Sequence, residues 1–300
     1  MQTETYELSG FSTPFYKRSE FLPGKIIDIE TSGRYWRTSL LQKASVIILS
    51  PGNSLPQEII WTAQKEAEEY DILCLLLENL KDKSSIITYN GTGFDLPHLK
   101  RKASAYGLQD PFPGHDFHDL FLELKPLAGF LKLPSRKLED YIGFFMPDFN
   151  FRNDAEKELA LISLYSWIDF LSGKFSIESA VPDKESIIYT LIPYSPLPGR
   201  LSLPDGPFYL TAGGLRAKLS VRTYSGMVRN YYTDYKNYDF LPEEGYAIHK
   251  SMSRYVGKNR KEKAVRENCF TLIRYNDALL TRQEPMKKYI ASVFAYLLTG

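Results

Sequence analysis

The chain has 300 residues, 43% hydrophobic and 24% charged, with a net charge of +1, a composition that excludes a mainly disordered chain and fits one large or two ordinary domains. Its two cysteines, Cys74 and Cys269, are too few for a disulfide framework or a cysteine-rich zinc site and point to a reducing compartment. No stretch approaches about 18 apolar residues and the N-terminus lacks a basic stretch followed by an apolar one, so no membrane span is expected and the protein is expected in the cytoplasm.

Lys25–Ile29 (KIIDI) is a β-branched run that predicts a strand, and Ala44–Leu49 predicts a second one, ending at Pro51-Gly52. Pro56–Leu80 shows long-period apolar spacing among Glu and Lys and predicts a helix. Ser85–Tyr89 predicts a strand broken by Asn90-Gly91-Thr92-Gly93. Asp95 then opens a helix, with Pro97 tolerated in its first turn. His118–Leu124 reads as extended and leads into a helical Pro126–Leu131. Leu138–Ile142 predicts a short helix, and Ala155–Ser172 a longer one stopped by Gly173. Strands interleaved with helices predict an α/β domain.

After Gly173 the pattern changes. Ser186–Ile192, Phe208–Thr211, Ala217–Thr223 and Met227–Tyr232 predict short strands, with Pro193–Pro198 as a connector. Glu244–Asn268 reads as helical and basic, and Gln283–Leu298 as a closing amphipathic helix. A boundary near residues 174–185 gives two domains, 1–178 and a smaller α+β domain, 179–300.

The acids carry the chemistry. Asp28 and Glu30 are two apart on a predicted strand and therefore share one face. Two acids on one face repel, and burial sharpens the repulsion unless a divalent cation lies between them. Alone, such a triplet is common. Asp95 follows a strand end, where open α/β sheets gather ligands, although by itself it also reads as a helix cap. Tyr165 and Asp169 are four apart on a predicted helix and share a face. A Tyr hydroxyl beside a carboxylate can orient a water; the plainer reading is a packed Tyr beside an exposed Asp.

Order adds what the single motifs lack. The blocks IIDIETSG (Ile26–Gly33), ITYNGTGFDLPHLKRKA (Ile87–Ala103), HDFHDLF (His115–Phe121), KLEDYIGF (Lys137–Phe144) and YSWID (Tyr165–Asp169) resemble, over about residues 20–175, the YprB-like branch of the ribonuclease H-like DEDD exonucleases. The resemblance implies a ribonuclease H-like mixed sheet flanked by helices in the first domain. It implies Asp28, Glu30, Asp95 and Asp169 as the metal-binding acids, with Tyr165 where many members have His. It further implies two Mg²⁺ or Mn²⁺ ions, 3′→5′ hydrolysis of single-stranded DNA or RNA and release of nucleoside 5′-monophosphates. Asn90 and Phe94 follow as candidates for the terminal nucleotide, with packing under the sheet the plainer role for Phe94. His115, His118 and Asp119 read as turn or supporting residues, since their spacing fits no tetrahedral site.

Residues 1–175 carry 19 basic against 24 acidic side chains, and residues 176–300 carry 18 against 12. Within the basic half, Tyr224, Tyr231, Tyr232, Tyr235, Tyr238 and Phe240 precede Arg254, Lys258, Arg260, Lys261, Lys263 and Arg266. Aromatics can stack on bases and a basic stripe can track phosphates, so Lys258, Arg260 and Lys261 are candidate substrate contacts. A tyrosine-rich core beside a solvated helix explains the same residues. A nucleic-acid-binding or scaffold protein on a decayed nuclease fold is the alternative to an enzyme.

Overall fold

The computed structural model of the protein describes residues 1–10, 18–52 and 54–299. The chain divides into two compact units, Met1–Lys125 with Ser135–Leu164, and Pro126–Pro134 with Tyr165–Gly300. The division falls at residue 164 instead of 178, and a segment of nine residues from the first half of the chain joins the second unit.

The first unit is built on a mixed six-stranded sheet. Its strands are β1 (Gln2–Glu7), β2 (Gly24–Thr31), β3 (Leu41–Leu49), β4 (Gln57–Thr62), β5 (Ser85–Thr88) and β6 (Asp116–Asp119), in the spatial order β1-β4-β3-β2-β5-β6. The β1, β4, β3 and β2 neighbours pair antiparallel, while β2–β5 and β5–β6 pair parallel. Helices α1 (Glu69–Asn79), α2 (Asp95–Ala105), α3 (Leu120–Glu123), α5 (Leu138–Phe145) and α6 (Asp154–Leu161) accompany it, and α4 (Lys125–Phe130) leads into the second unit.

Strand β2 is interior, which its β-branched run Ile26, Ile27 and Ile29 foreshadows. Ile27 and Ile29 join Val46, Trp61, Ile86 and the α1 residues Ile72, Leu73 and Leu76 in one buried core. The alternation of a strand therefore turns Asp28 and Glu30 to the opposite face, where α6 packs against β2 and β3. The single helix expected over Pro56–Leu80 is wrong in its first half. Residues Gln57–Thr62 form β4, with β1 on one side and β3 on the other. Ile59, Ile60 and Trp61 fit a pleated surface, and two strand partners for the backbone outweigh a weak helical period.

The second unit holds a five-stranded antiparallel sheet in the order β7-β8-β11-β10-β9, made of β7 (Phe175–Asp183), β8 (Ser186–Pro193), β9 (Leu197–Asp205), β10 (Phe208–Gly214) and β11 (Arg216–Arg222). Alternate β8 residues Ile187, Tyr189 and Leu191 are fully buried. The stretch expected to link two domains, 174–185, is largely β7. A second sheet pairs β12 (Met227–Tyr231) with β16 (Phe270–Arg274), and a third joins β13 (Tyr238–Leu241) to β14 (Tyr246–His249) and β15 (Glu262–Lys263). Helices α7 (Tyr165–Leu171), α8 (Lys250–Ser253), α9 (Asp277–Thr281) and α10 (Gln283–Leu297) complete the unit. Helix α10 buries Met286, Ile290, Val293, Phe294 and Leu297, and Phe294 packs 5.0 Å from Phe170.

Two further helix expectations are corrected. Ala155–Ser172 is two helices separated by a 3-10 turn at Ile162–Leu164. Glu244–Asn268 is mostly turn and short strand, with only the four-residue α8 in α-helical form. Its charges include too few apolar side chains to make a helical stripe, whereas Tyr246–His249 finds strand partners in Tyr238–Leu241. Among the described residues, no helix is long and apolar enough to cross a membrane.

Candidate active site

Three carboxylates converge on the α6 face of the first unit's sheet. Asp28 stands opposite Ser45 in the β2–β3 register. Burial pushes its carboxyl from an ordinary 3.8 up to about 6, with repulsion from Asp154, Glu30 and Glu58 adding and Lys43 opposing.

Asp95 is delivered by the turn after β5. Asn90 adopts a left-handed φ of 62°. Gly91 lies so near Thr88 that a Cβ there would come within 2.4 Å of the threonine Cβ, so glycine is required. Buried Asp119 fixes the turn by accepting from the amides of Asn90 at 2.8 Å and Thr92 at 3.2 Å, and from the Thr92 hydroxyl. Asp119 thus supports the turn, as the sequence suggests. The Asp95 carboxyl at the start of α2 is pushed up to about 7, first by burial and then by the charge of Asp28, while its own amide and that of Ile29 pull it down. Pairing of β2 with β5 ends at Ile26, which leaves the Ile29 end of the strand facing Asp95.

The third acid is Glu158, which sequence reading passes over. It is only 3% exposed on α6, and its Oε2 has no hydrogen-bond partner. Burial, then Asp28, Asp95 and Asp154, hold its carboxyl well above the usual range, opposed by the amide of Tyr89. Asp154 lies one helical turn earlier. The Asp154-x-x-x-Glu158 spacing carries the same one-face signal as Tyr165-x-x-x-Asp169. It lies in the same predicted helix, hidden in the charged string DAEKE.

Helix α6 is held on the sheet by polar contacts. The Asn153 side chain caps it by accepting from the Glu156 amide at 3.0 Å and donates to Glu58 at 2.6 Å. The Ser45 hydroxyl donates to the same Glu58 oxygen at 2.7 Å. Arg152 pairs with Glu58 at 3.2 Å and with Glu156, its guanidinium 3.8 Å from the Tyr6 ring centre. Glu58, fully buried in β4, therefore ties α6 to the strand residue opposite Asp28.

The other expected residues are placed as follows. Glu30 is exposed and pairs at 2.8 Å with Lys43, directly opposite it in β3. Phe94 is half-buried against the α1 core. Tyr165 and Asp169 belong to the second unit, on α7, which Tyr165 opens; Tyr165 is buried, and Asp169 pairs with Lys174 at 2.8 Å. His115 bonds the carbonyls of Ser84 and Leu80, both at 2.9 Å. His118 bonds Glu123 at 3.1 Å. Both imidazoles serve local structure. Lys258, Arg260 and Lys261 are not on a helical stripe as expected. Arg260 is neutralised by Glu243 and Glu244 at 2.9 and 3.0 Å, and Lys261 by Asp239 at 3.4 Å. Tyr232, Tyr235, Tyr238 and Phe240 pack around Cys269 in a small core of their own.

Among the described residues, no three acidic, histidine or cysteine side chains are grouped so as to hold a metal ion as they stand. The donor chemistry nonetheless suits a hard divalent cation. Asp28, Asp95 and Glu158 are oxygen donors; Asp28 raises the cost of ionising Asp95, both raise that of Glu158, and Glu158 offers an unpartnered oxygen. A cation is the species that would let all three ionise together.

The sequence model of the RNase_H_2 family, described as the RNase_H superfamily, matches residues 26–163. The fold of the first unit is ribonuclease H-like. The matched stretch takes in Asp28, Glu30, Asp95, Asp154 and Glu158. Solved structures resembling the chain include exonuclease I. The complex of Escherichia coli exonuclease I with a dT13 oligonucleotide is 12% identical, with TM-score 0.39, covering 90% of this chain and 73% of that one. An apo exonuclease I is 11% identical, with TM-score 0.40, covering 90% and 72%. An inhibitor complex of exonuclease I is 12% identical, with TM-score 0.39, covering 66% and 56%. No curated protein sequence matches the chain.

Proposed function

We propose that the ribonuclease H-like unit is a metal-dependent 3′→5′ exonuclease of the DEDD type, close to the YprB-like branch, acting on single-stranded DNA or RNA. The observation that carries the reading is the meeting of half-buried Asp28 with buried Asp95 and Glu158, Asp28 disfavouring ionisation of Asp95 and both disfavouring that of Glu158. The order of the D-x-E and N-G-x-x-F-D motifs supports the exonuclease class and its direction. In this proposal the acids are Asp28, Glu30, Asp95 and Glu158, with Glu158 in the place the sequence motif gave to Asp169.

Bound Mg²⁺ or Mn²⁺ would offset the charge of the scissile phosphate and lower the pKa of an attacking water. Asp28, Asp95 and Glu158 supply the oxygens that hold such a charge. Glu30, at the strand end, exchanges its Lys43 contact for that role. Asp154, exposed one turn before Glu158, would orient the attacking water, the task expected of Tyr165. Glu58, Asn153 and Arg152 position α6 and touch no reacting atom.

The test is digestion of 5′-labelled dT20 and rU20 with Mn²⁺ or EDTA. A shortening ladder that requires Mn²⁺ and drops at least ~100-fold in Asp28→Asn and in Glu158→Gln is expected. An Asp169→Asn protein should keep most of its activity. A fully active Glu158→Gln enzyme, or internal cuts in place of a ladder, defeats the assignment.

A further inference from the structure

The second unit carries a cluster that the catalytic proposal does not use. Strand β11 ends at Arg222 and β12 begins at Met227. Between them Ser225 and Gly226 adopt φ of 49° and 80°. Tyr224 and Met227 exchange backbone hydrogen bonds of 2.7 and 3.0 Å. This tight two-residue turn, with both central residues left-handed, matches strand twist and fixes the direction of Tyr224.

Two arginines stand over the Tyr224 ring. The Arg229 guanidinium is 4.5 Å from its centre and that of Arg222 is 5.7 Å away. Arg229 is also 4.1 Å from the Phe270 ring, so two aromatic faces hold its guanidinium. Among the described residues, neither Arg222 nor Arg229 has an ion-pair partner in a carboxylate. Arg229 spends one N–H on the Tyr231 hydroxyl at 3.3 Å, while its Nε is buried and has no acceptor. A buried guanidinium donor without an acceptor is costly and calls for a partner. Arg266 nearby is different, since Asp205 neutralises it at 2.9 Å.

Both arginines border a cavity of about 390 Å³ that Tyr224, Tyr231 and Tyr296 also line, with Glu267 at its edge. Aromatic walls suit a base or sugar. A planar, permanently charged guanidinium suits a phosphate. We propose that this cavity binds a nucleotide phosphate through Arg222 and Arg229, with Tyr224 against the attached nucleoside. The phosphate group of a free nucleotide and that of a strand share this chemistry. The site stands whether or not the first unit cuts nucleic acid. Glu267 opposes the ligand, so its removal tightens binding.

The test uses the full chain, with 5′-dTMP followed by calorimetry and fluorescein-labelled dT12 followed by anisotropy. The Arg222→Gln/Arg229→Gln protein is expected to weaken binding at least tenfold, while Arg216→Gln, an exposed arginine of the same unit, changes it less than twofold. Glu267→Gln is expected to tighten it. Binding of dTMP and dT12 alike assigns a phosphate monoester, and binding of dT12 alone assigns a diester within a strand, provided each depends on Arg222 and Arg229. Unchanged affinity in the double variant, or equal weakening by Arg216→Gln, overturns the proposal. Should the double variant melt early, Arg222→Gln alone, at an exposed position, must still weaken binding at least threefold. Binding is measured in EDTA, where the exonuclease reading expects no digestion, so that the double arginine variant tests the cavity alone while the Mn²⁺-dependent ladder tests the catalytic acids.

Discussion

Asp28 and Asp95 hold protons to about pH 6 and 7 in the folded chain, against an ordinary 3.8. A folded state that holds protons more tightly than the unfolded state gains stability at low pH and loses it as pH rises between those values. The metal-free protein is therefore expected to melt lower at pH 8 than at pH 5.5 through these groups. Added Mn²⁺ should raise the melting temperature more at pH 8, where the carboxylates are ionised and free to bind it. Scanning fluorimetry with EDTA or Mn²⁺ at the two pH values checks this, and an equal Mn²⁺ effect at both would contradict it. Digestion rates should climb over the same interval. Glu158→Gln removes a buried carboxyl whose ionisation is disfavoured and whose Oε2 lacks a partner, so with EDTA at pH 8 this variant should melt higher than the parent while losing its nuclease activity. A lower melting temperature would count against the buried-charge account.

Helix α6 shows what an element must do to make such a site. Its cap, Asn153, satisfies the helix end and holds Glu58 on the sheet in the same stroke. Asn153→Ala should cost about 1 kcal/mol from the cap, measured by urea unfolding. It should also weaken Mn²⁺ about tenfold or more, as is typical when a residue supporting a ligand is lost. Retained Mn²⁺ affinity would show that the cap steadies the helix without setting Glu158. At this scale the sequence was legible where one local signal dominated. The apolar β2 run, the N-G-T-G turn and the Asp95 helix lie where their residues predict. Reading failed where a helical period competed with partners distant in sequence. Ile59–Trp61 is claimed by β1 and β3, and Tyr246–His249 by β13. Glu158 was missed for a related reason: a buried acid and a solvated one look alike in a charged string until packing is known.

At the scale of the whole molecule, the change of composition after Gly173 marks a real change of architecture, from a mixed sheet to an antiparallel one. It does not show that Pro126–Pro134 is lent to the second unit. There Phe130 meets Trp167 at 5.9 Å, and Lys132 reaches the Pro204 carbonyl at 3.2 Å. A fragment of residues 1–164 keeps this segment and loses its partners. It should bare Leu127, Phe130 and Leu131, all buried in the full chain, and bind a hydrophobic dye far more strongly, whereas a dye signal like that of the whole protein would refute this. The chain passes between the two units three times, after residues 125, 134 and 164. During synthesis, the stretch 126–134 is made before residues 165–300, the remainder of its unit. Thirty residues, 135–164, separate it from that later stretch, so its apolar side chains wait on downstream synthesis for their cover, and a chain cut short leaves them bare.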